Sequence, residues 1–190
     1  MEERIEFRVW VVNMQEYILG NVVGEWLNLP MEEGEILGKL SKIAPNNEGC
    51  FIHANSNNLG IHLDKYSKIV EVNQFIQELS NTITCEEDLI LVRNFHIYGD
   101  AIGDKEFLLE TLEDKTYNLF YAENEEELGS LLYEMGLHGF GSDFYKLSQK
   151  TKDILADYID MAAIAEGYFS RTNCDFVVHK GKRMVLEIHT

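Results

Sequence analysis

Carboxylates are the side chains of this sequence that could do chemistry, and on three segments they recur at helical spacing. In DKEFLLETLED, running from Asp104 to Asp114, Glu106, Glu110 and Glu113 fall on one outward strip. In YAENEEELGSLLYEMG, from Tyr121 to Gly136, Glu123, Glu125, Glu126 and Glu127 crowd the start and Glu134 extends the run. In KTKDILADYIDMAAIAEG, Asp153, Asp157 and Asp160 repeat the pattern and Glu166 comes after them. Three chemistries use such groups. A close pair can hydrolyse a glycoside, an oxygen cluster can hold a hard cation, and an array of anions can stand in for phosphates. With 33 acids in the chain, any single pair carries little information about hydrolysis. Neither NEEE nor CEED fits the calcium-loop pattern D-x-[DN]-x-[DN]-G-x₅-E.

Other reactive groups give no constellation. The sequence has no GxxxxGK[ST] loop, no GxSxG elbow and no HExxH. HGFGSDF holds two glycines of a nucleotide fingerprint and lacks the third. Six histidines lack ligand spacing, although His53 with His62, or His179 with His189, could meet in space. Cys50, Cys85 and Cys174 are odd in number and widely spaced, which predicts reduced thiols rather than a disulfide or zinc scaffold. The reading is a protein without catalysis, metal or cofactor.

The acid array is a surface question, because the charges exceed what helix capping requires. Carboxylates four residues apart lie about 6 Å apart along a helix axis. Each such pair repels by a few tenths of a kcal/mol. The formal net charge is −17. Residues 1–100 carry −9, residues 101–166 carry −10 and residues 167–190 carry +2, so no single acidic tail accounts for it. Such a chain repels nucleic acid and anionic membranes and attracts basic surfaces. Duplex DNA presents one charge per about 1.7 Å of axis, so one chain matches about 8–9 base pairs and a dimer about 17.

The elements that must position these acids are legible in outline. FRVWVVNM (Phe7–Met14) and NVVGEWLNL (Asn21–Leu29) read as strands, joined by a loop that turns at Gly20. Trp10 and Trp26 read as core. Pro30 is placed to open a helix whose first turn holds Glu32, Glu33 and Glu35 and whose apolar face is Ile36, Leu37, Leu40 and Ile43. Pro45 ends it, and CFIHAN (Cys50–Asn55) reads as a third strand. From Val72 the period becomes helical, with Phe75, Ile76 and Leu79. CEEDLILVRN fits a buried strand or a helix. Thr84 as cap with Glu87 three residues on favours the helix, and Gly99 and Gly103 punctuate the segment beyond it. Asp104 is placed to cap the next helix, with Phe107, Leu108 and Leu112 inward.

TYNLFY (Thr116–Tyr121) alternates as a strand, and Asn124 with Glu127 forms a capping box for the helix after it. That helix buries Leu128, Leu131, Leu132 and Met135; the same residues, with Glu127 and Tyr133, are candidates for a dimer seam. Tyr133 lies off the apolar face and is the better interface candidate of the set. SQKTKDILADYIDMAAIAEGYF is helical, as one or two helices, and CDFVVH with RMVLEIH closes a hairpin around Lys180–Lys182. The fold class is α+β in three modules. Residues 1–71 form a sheet with one helix, 72–115 a helical middle, and 116–190 a mixed module suited to dimerisation. The charged N-terminus predicts no signal peptide, and no window predicts a membrane span.

The stretch RVWVVNMQEYILGNVVGEWLNLP (Arg8–Pro30) resembles the opening of ArdA-type antirestriction proteins, through its strand, its loop with Tyr17 and Gly20, and GEWLNLP. YNLFYAENEEELGSLLYEMG and DYIDMAAIAEGYF resemble the C-terminal part of that family, relative to which HGFGSDFYKLSQK (residues 138–150) reads as an insertion bearing Lys146 and Lys150. The resemblance implies an elongated cytoplasmic homodimer that imitates DNA. It implies binding to the methyltransferase core of a type I restriction–modification enzyme, with no direct nucleic-acid or membrane binding. The acids facing the partner are then Asp104, Glu106, Glu110, Glu113, Asp114, Glu123, Glu125, Glu126, Glu134, Asp153, Asp157, Asp160 and Glu166. Glu127–Gly136 aligns with a segment associated in the family with antirestriction and the subunit interface. A rival of another class is an acidic adaptor for a different basic DNA-binding protein or nuclease.

Overall fold

The structure is a computed structural model that describes residues 5–45, 49–97 and 103–189. The mixed α+β expectation holds: two small antiparallel sheets and a set of helices. The chain divides into two compact units, residues 1–115 and 116–190. Among the described residues no helix is long and apolar enough to cross a membrane.

The first unit is built on β1 (Phe7–Asn13), flanked by β2 (Gly24–Leu29) and β3 (Cys50–Asn57) in the order β2-β1-β3, all antiparallel. Period-two alternation sends Phe7, Val9, Val11, Leu27 and Leu29 into the core. The same alternation turns Trp10 and Trp26 the other way. They face each other across β1 and β2 with ring centroids 5.6 Å apart, and Arg8 lies 5.5 Å above the Trp26 ring. Trp26 is 41% exposed, so the core assignment of the tryptophans is corrected: Val9, Val11 and Leu27 occupy the inward positions.

Between β1 and β2 the chain forms not a plain loop but a one-turn helix, α1 (Met14–Ile18). The Asn13 side chain accepts from the amides of Gln15 and Glu16 at 2.9 and 3.1 Å. Pro30 does not open the next helix. The buried Asn73 side chain bonds both the amide and the carbonyl of Met31, at 2.9 Å each, and holds that residue outside the helix. Helix α2 therefore spans Glu33–Ile43. It buries Ile36, Leu40 and Ile43, while Leu37 sits one residue round the cylinder and stays exposed.

Among the described residues, three further helices follow in this unit: α3 (Ile69–Thr82), α4 (Glu86–Asn94) and α5 (Lys105–Asp114), with a 3₁₀ turn at Phe95–Ile97 after α4. Gly99 lies outside the described residues. Helix α4 is the correct choice over a strand, but its cap is one residue later than Thr84. Asp88, not Glu87, is the reciprocal carboxylate, accepting from the amides of Thr84 and Cys85 at 2.7 and 3.2 Å. Asp88 is fully buried, and the ammonium of Lys115 pairs with its other oxygen.

The second unit pairs β4 (Tyr117–Phe120), β5 (Cys174–His179) and β6 (Lys182–Ile188) in the order β4-β6-β5. Lys180 and Gly181 turn the β5–β6 hairpin with φ of 50° and 78°, the mirror-image conformation that matches strand twist. Helices α6 (Glu125–Glu134), α7 (Ser142–Tyr145), α8 (Gln149–Ala156) and α9 (Met161–Phe169) lie between β4 and β5 in the chain. α6 crosses α9 at Gly129, where a Cβ would stand 1.8 Å from the Met161 carbonyl oxygen. Phe120, Leu128, Leu132, Ile164, Tyr168 and Val185 form the core there. Glu187 is buried in the same unit, accepting from the Tyr168 hydroxyl at 2.8 Å and the Asn118 amide at 3.0 Å.

Candidate partner-binding surface

Helix α5 presents acids because its inward face is fully committed. Leu108, Thr111 and Leu112 are buried, and the Thr111 hydroxyl donates to the Phe107 carbonyl at 2.7 Å. Lys115 ends the helix in the left-handed region, its amide returning to Thr111. Glu106, Glu110, Glu113 and Asp114 are left exposed on the opposite side, with Asp104 exposed at the N-cap. None of Glu106, Glu110, Glu113 and Asp114 pairs with a cation among the described residues.

Helix α6 has more to hold in place. Asn124 caps it, its side-chain oxygen accepting from the Glu127 amide at 2.9 Å. The Glu127 carboxylate turns back and accepts from the Glu123 amide at 2.9 Å, one residue further out than the expected capping-box bond. Glu125 is half-buried and lies 3.7 Å from the Arg183 guanidinium. Glu123, Glu126 and Glu134 are exposed. A shallow groove of about 570 Å³ runs along this face, lined by Tyr121, Glu126, Glu127, Ser130, Leu131 and Glu134 among others. The structure thus brings Glu126 and Glu134, read as partner-facing acids, beside Glu127 and Leu131, read as seam residues.

The third acid strip is corrected. The helix breaks between Asp157 and Asp160, so Asp153, Asp157 and Asp160 do not share one continuous helical face. Asp157 is the C-cap of α8, and Asp160 caps α9 by accepting from the Ala163 amide at 3.1 Å. Asp153 accepts from the Gln149 side chain at 2.9 Å, and Glu166 is exposed.

Two seam candidates are also corrected. Leu128 and Leu132 are fully buried inside their own unit, out of reach of a second chain. Leu131 is half-buried and Met135 is 59% exposed. The Tyr133 hydroxyl donates to the Lys152 carbonyl at 2.8 Å, and its ring packs against His138, Phe140 and Phe144. Burial and the nearby Asp153 charge push the Tyr133 phenol pKa up. His138 is the centre of this aromatic nest: buried, stacked on Tyr145, and accepting at Nδ1 from the Phe140 amide at 3.1 Å. Burial and then the Lys152 charge hold its pKa below the ordinary histidine range. The segment that reads as an insertion therefore closes on itself around a neutral imidazole.

The remaining reactive groups are arranged structurally. His179 pairs with Lys182 beside the hairpin turn, and His189 lies past the far end of β6, so this histidine pair does not meet. Among the described residues no three His, Cys, Asp or Glu side chains gather as metal ligands. Burial pushes the Cys50 and Cys174 thiols up, away from a nucleophilic thiolate.

Each unit thus exposes carboxylates on short helices whose inner faces are fixed. The family model described as antirestriction protein (ArdA) matches residues 9–181. The chain belongs to the ArdA family of antirestriction proteins. No curated protein matches it significantly. The match spans both units of this ArdA-family chain, and it covers the paired-tryptophan sheet, α5 and the groove on α6.

Proposed function

We propose that this ArdA-family protein acts on type I restriction–modification enzymes by occupying the DNA-binding channel of their methyltransferase core. The exposed carboxylates replace phosphates against the enzyme's Lys and Arg. The protein is cytoplasmic and works as a homodimer, which doubles the charge to the scale of an extended footprint. The observation that carries the reading is the row Glu106, Glu110, Glu113 and Asp114 on α5, exposed and unpaired by any cation among the described residues. Like charges at helical spacing cost stability. A surface meant only for solubility would be better served by mixed signs.

The remaining acids divide by their local work. Glu123, Glu126 and Glu134 on and before α6, and Asp153 and Glu166 beyond it, face the partner as α5 does. Asp157 and Asp160 also terminate helices. Displacement of a labelled duplex from a purified type I methyltransferase tests the reading. The protein should compete stoichiometrically, with log affinity falling linearly as log salt rises. Binding to the enzyme that leaves the duplex bound would overturn it in favour of an adaptor.

A further inference from the structure

We propose that Arg183 is a positioning residue for the acidic face of α6, so that a base strengthens binding to a basic partner. The proposal rests on the function proposed above and deepens it at one site. Arg183 lies on β6, and its guanidinium makes three contacts at once. One nitrogen donates to the Glu123 carbonyl at 3.0 Å, a second lies 3.7 Å from the Glu125 carboxylate, and the plane stacks 3.6 Å from the centre of the Phe176 ring. Strand alternation sets this up. Arg183, Val185 and Glu187 share a face of the sheet, on which Val185 enters the core under α6 and α9. The guanidinium therefore stands at the edge of that core, over the residues that lead into α6.

A planar, rigid fork is suited to this, since lysine offers neither the stacking plane nor donors held in a fixed fork. The contact fixes the main chain at Glu123, whose amide is already held by the Glu127 carboxylate. Both backbone groups of Glu123, one residue before the Asn124 cap, are thereby tied, and with them the start of α6, whose Glu126 and Glu134 line the groove. Glu125, compensated by Arg183, contributes structure rather than free charge.

The charge count and the geometry predict opposite signs, which makes the test decisive. Arg183→Ala and Lys182→Ala each remove one positive charge; Lys182 is exposed on the adjacent residue of the same strand. In competition for a type I methyltransferase against a labelled duplex, Lys182→Ala should bind as well as the parent or slightly better. Arg183→Ala should bind about fivefold weaker, with a shallower salt slope, because fewer carboxylates engage together. In the free protein, hydrogen exchange at the amides of residues 123–127 should accelerate in Arg183→Ala and not in Lys182→Ala. Arg183→Lys, which keeps the net charge, should fall between the parent and alanine in both measurements.

The proposal is overturned if Arg183→Ala matches Lys182→Ala, or if it loses affinity with the salt slope unchanged, the mark of a smaller folded fraction alone. Parent-like behaviour of Arg183→Lys overturns it too, and that variant decides the matter should Arg183→Ala not fold. If the parent itself fails to displace DNA, the proposed function falls, while hydrogen exchange still decides the role of Arg183.

Discussion

Helices α5 and α6 have the same length and similar acid content, yet they present charge differently. On α5 the cap residue Asp104 makes no side-chain bond to the helix amides, and Glu106, Glu110, Glu113 and Asp114 stand clear of any described cation. On α6 two of the leading glutamates are engaged, Glu127 with the Glu123 amide and Glu125 with Arg183. The first helix holds its acids apart from the rest of the protein; the second uses half of its acids to aim the others. Formal charge is therefore a poor measure of the charge a partner meets. Equal numbers of neutralised residues on the two helices should not have equal effects.

The largest expected effect breaks α6 and spares α5. Gly129→Ala places a methyl group against the Met161 backbone and should cost about 3 kcal/mol, read by urea denaturation. A cost below about 1 kcal/mol would show that α6 and α9 can separate freely. Next in size are the caps. Asn124→Ala should cost about 1 kcal/mol. Asp104→Ala should cost less, since the Asp104 side chain accepts no bond from the α5 amides. Equal losses would erase the distinction between a helix start with a side-chain cap and one without.

Alkaline pH gives a third comparison. Burial, and then the bond to Glu187, raise the Tyr168 pKa above the ordinary tyrosine value. A raised folded pKa means the stabilisation is complete below the unfolded value of about 10 and is lost as pH climbs above it. Tyr168 lies in the core beneath α6, so α6 amides should lose protection above that pH while α5 amides change less. Tyr168→Phe should flatten this dependence, as monitored by thermal melts across the pH range.

The smallest effect concerns the acids themselves. Glu106→Gln, Glu110→Gln and Glu113→Gln together should stabilise α5 by a few tenths of a kcal/mol per relieved pair. The same triple change should reduce the salt slope of methyltransferase binding. Glu125→Gln should leave that slope nearly unchanged.

Much of this architecture is legible in the amino-acid sequence. The Asn124 cap, the buried Leu108 and Leu112 of α5 and Leu128 and Leu132 of α6, and the hairpin at Lys180–Gly181 all come from short-range spacing, which local physics controls, whereas Met135, read on the same face, is exposed. The failures have a common cause in contacts that cross the chain. Pro30 reads as a helix opener because nothing nearby shows that Asn73 detains Met31. Asp153, Asp157 and Asp160 read as one strip because a break that exchanges one helix end for another keeps the same residue types. Trp10 and Trp26 fit a core by size, and only the pairing register shows that Val9 and Leu27 hold the inward positions. The sequence offers no sign of the Arg183 contact, because β6 carries it to Glu123 from sixty positions away.

The paired indoles have an optical consequence. Both tryptophans of the chain lie on β1 and β2, and the second unit has none. Emission excited at the red edge therefore reports one sheet alone, and two rings 5.6 Å apart should give an exciton couplet in far-ultraviolet dichroism. Loss of that couplet during unfolding would time the melting of the first unit without any added label.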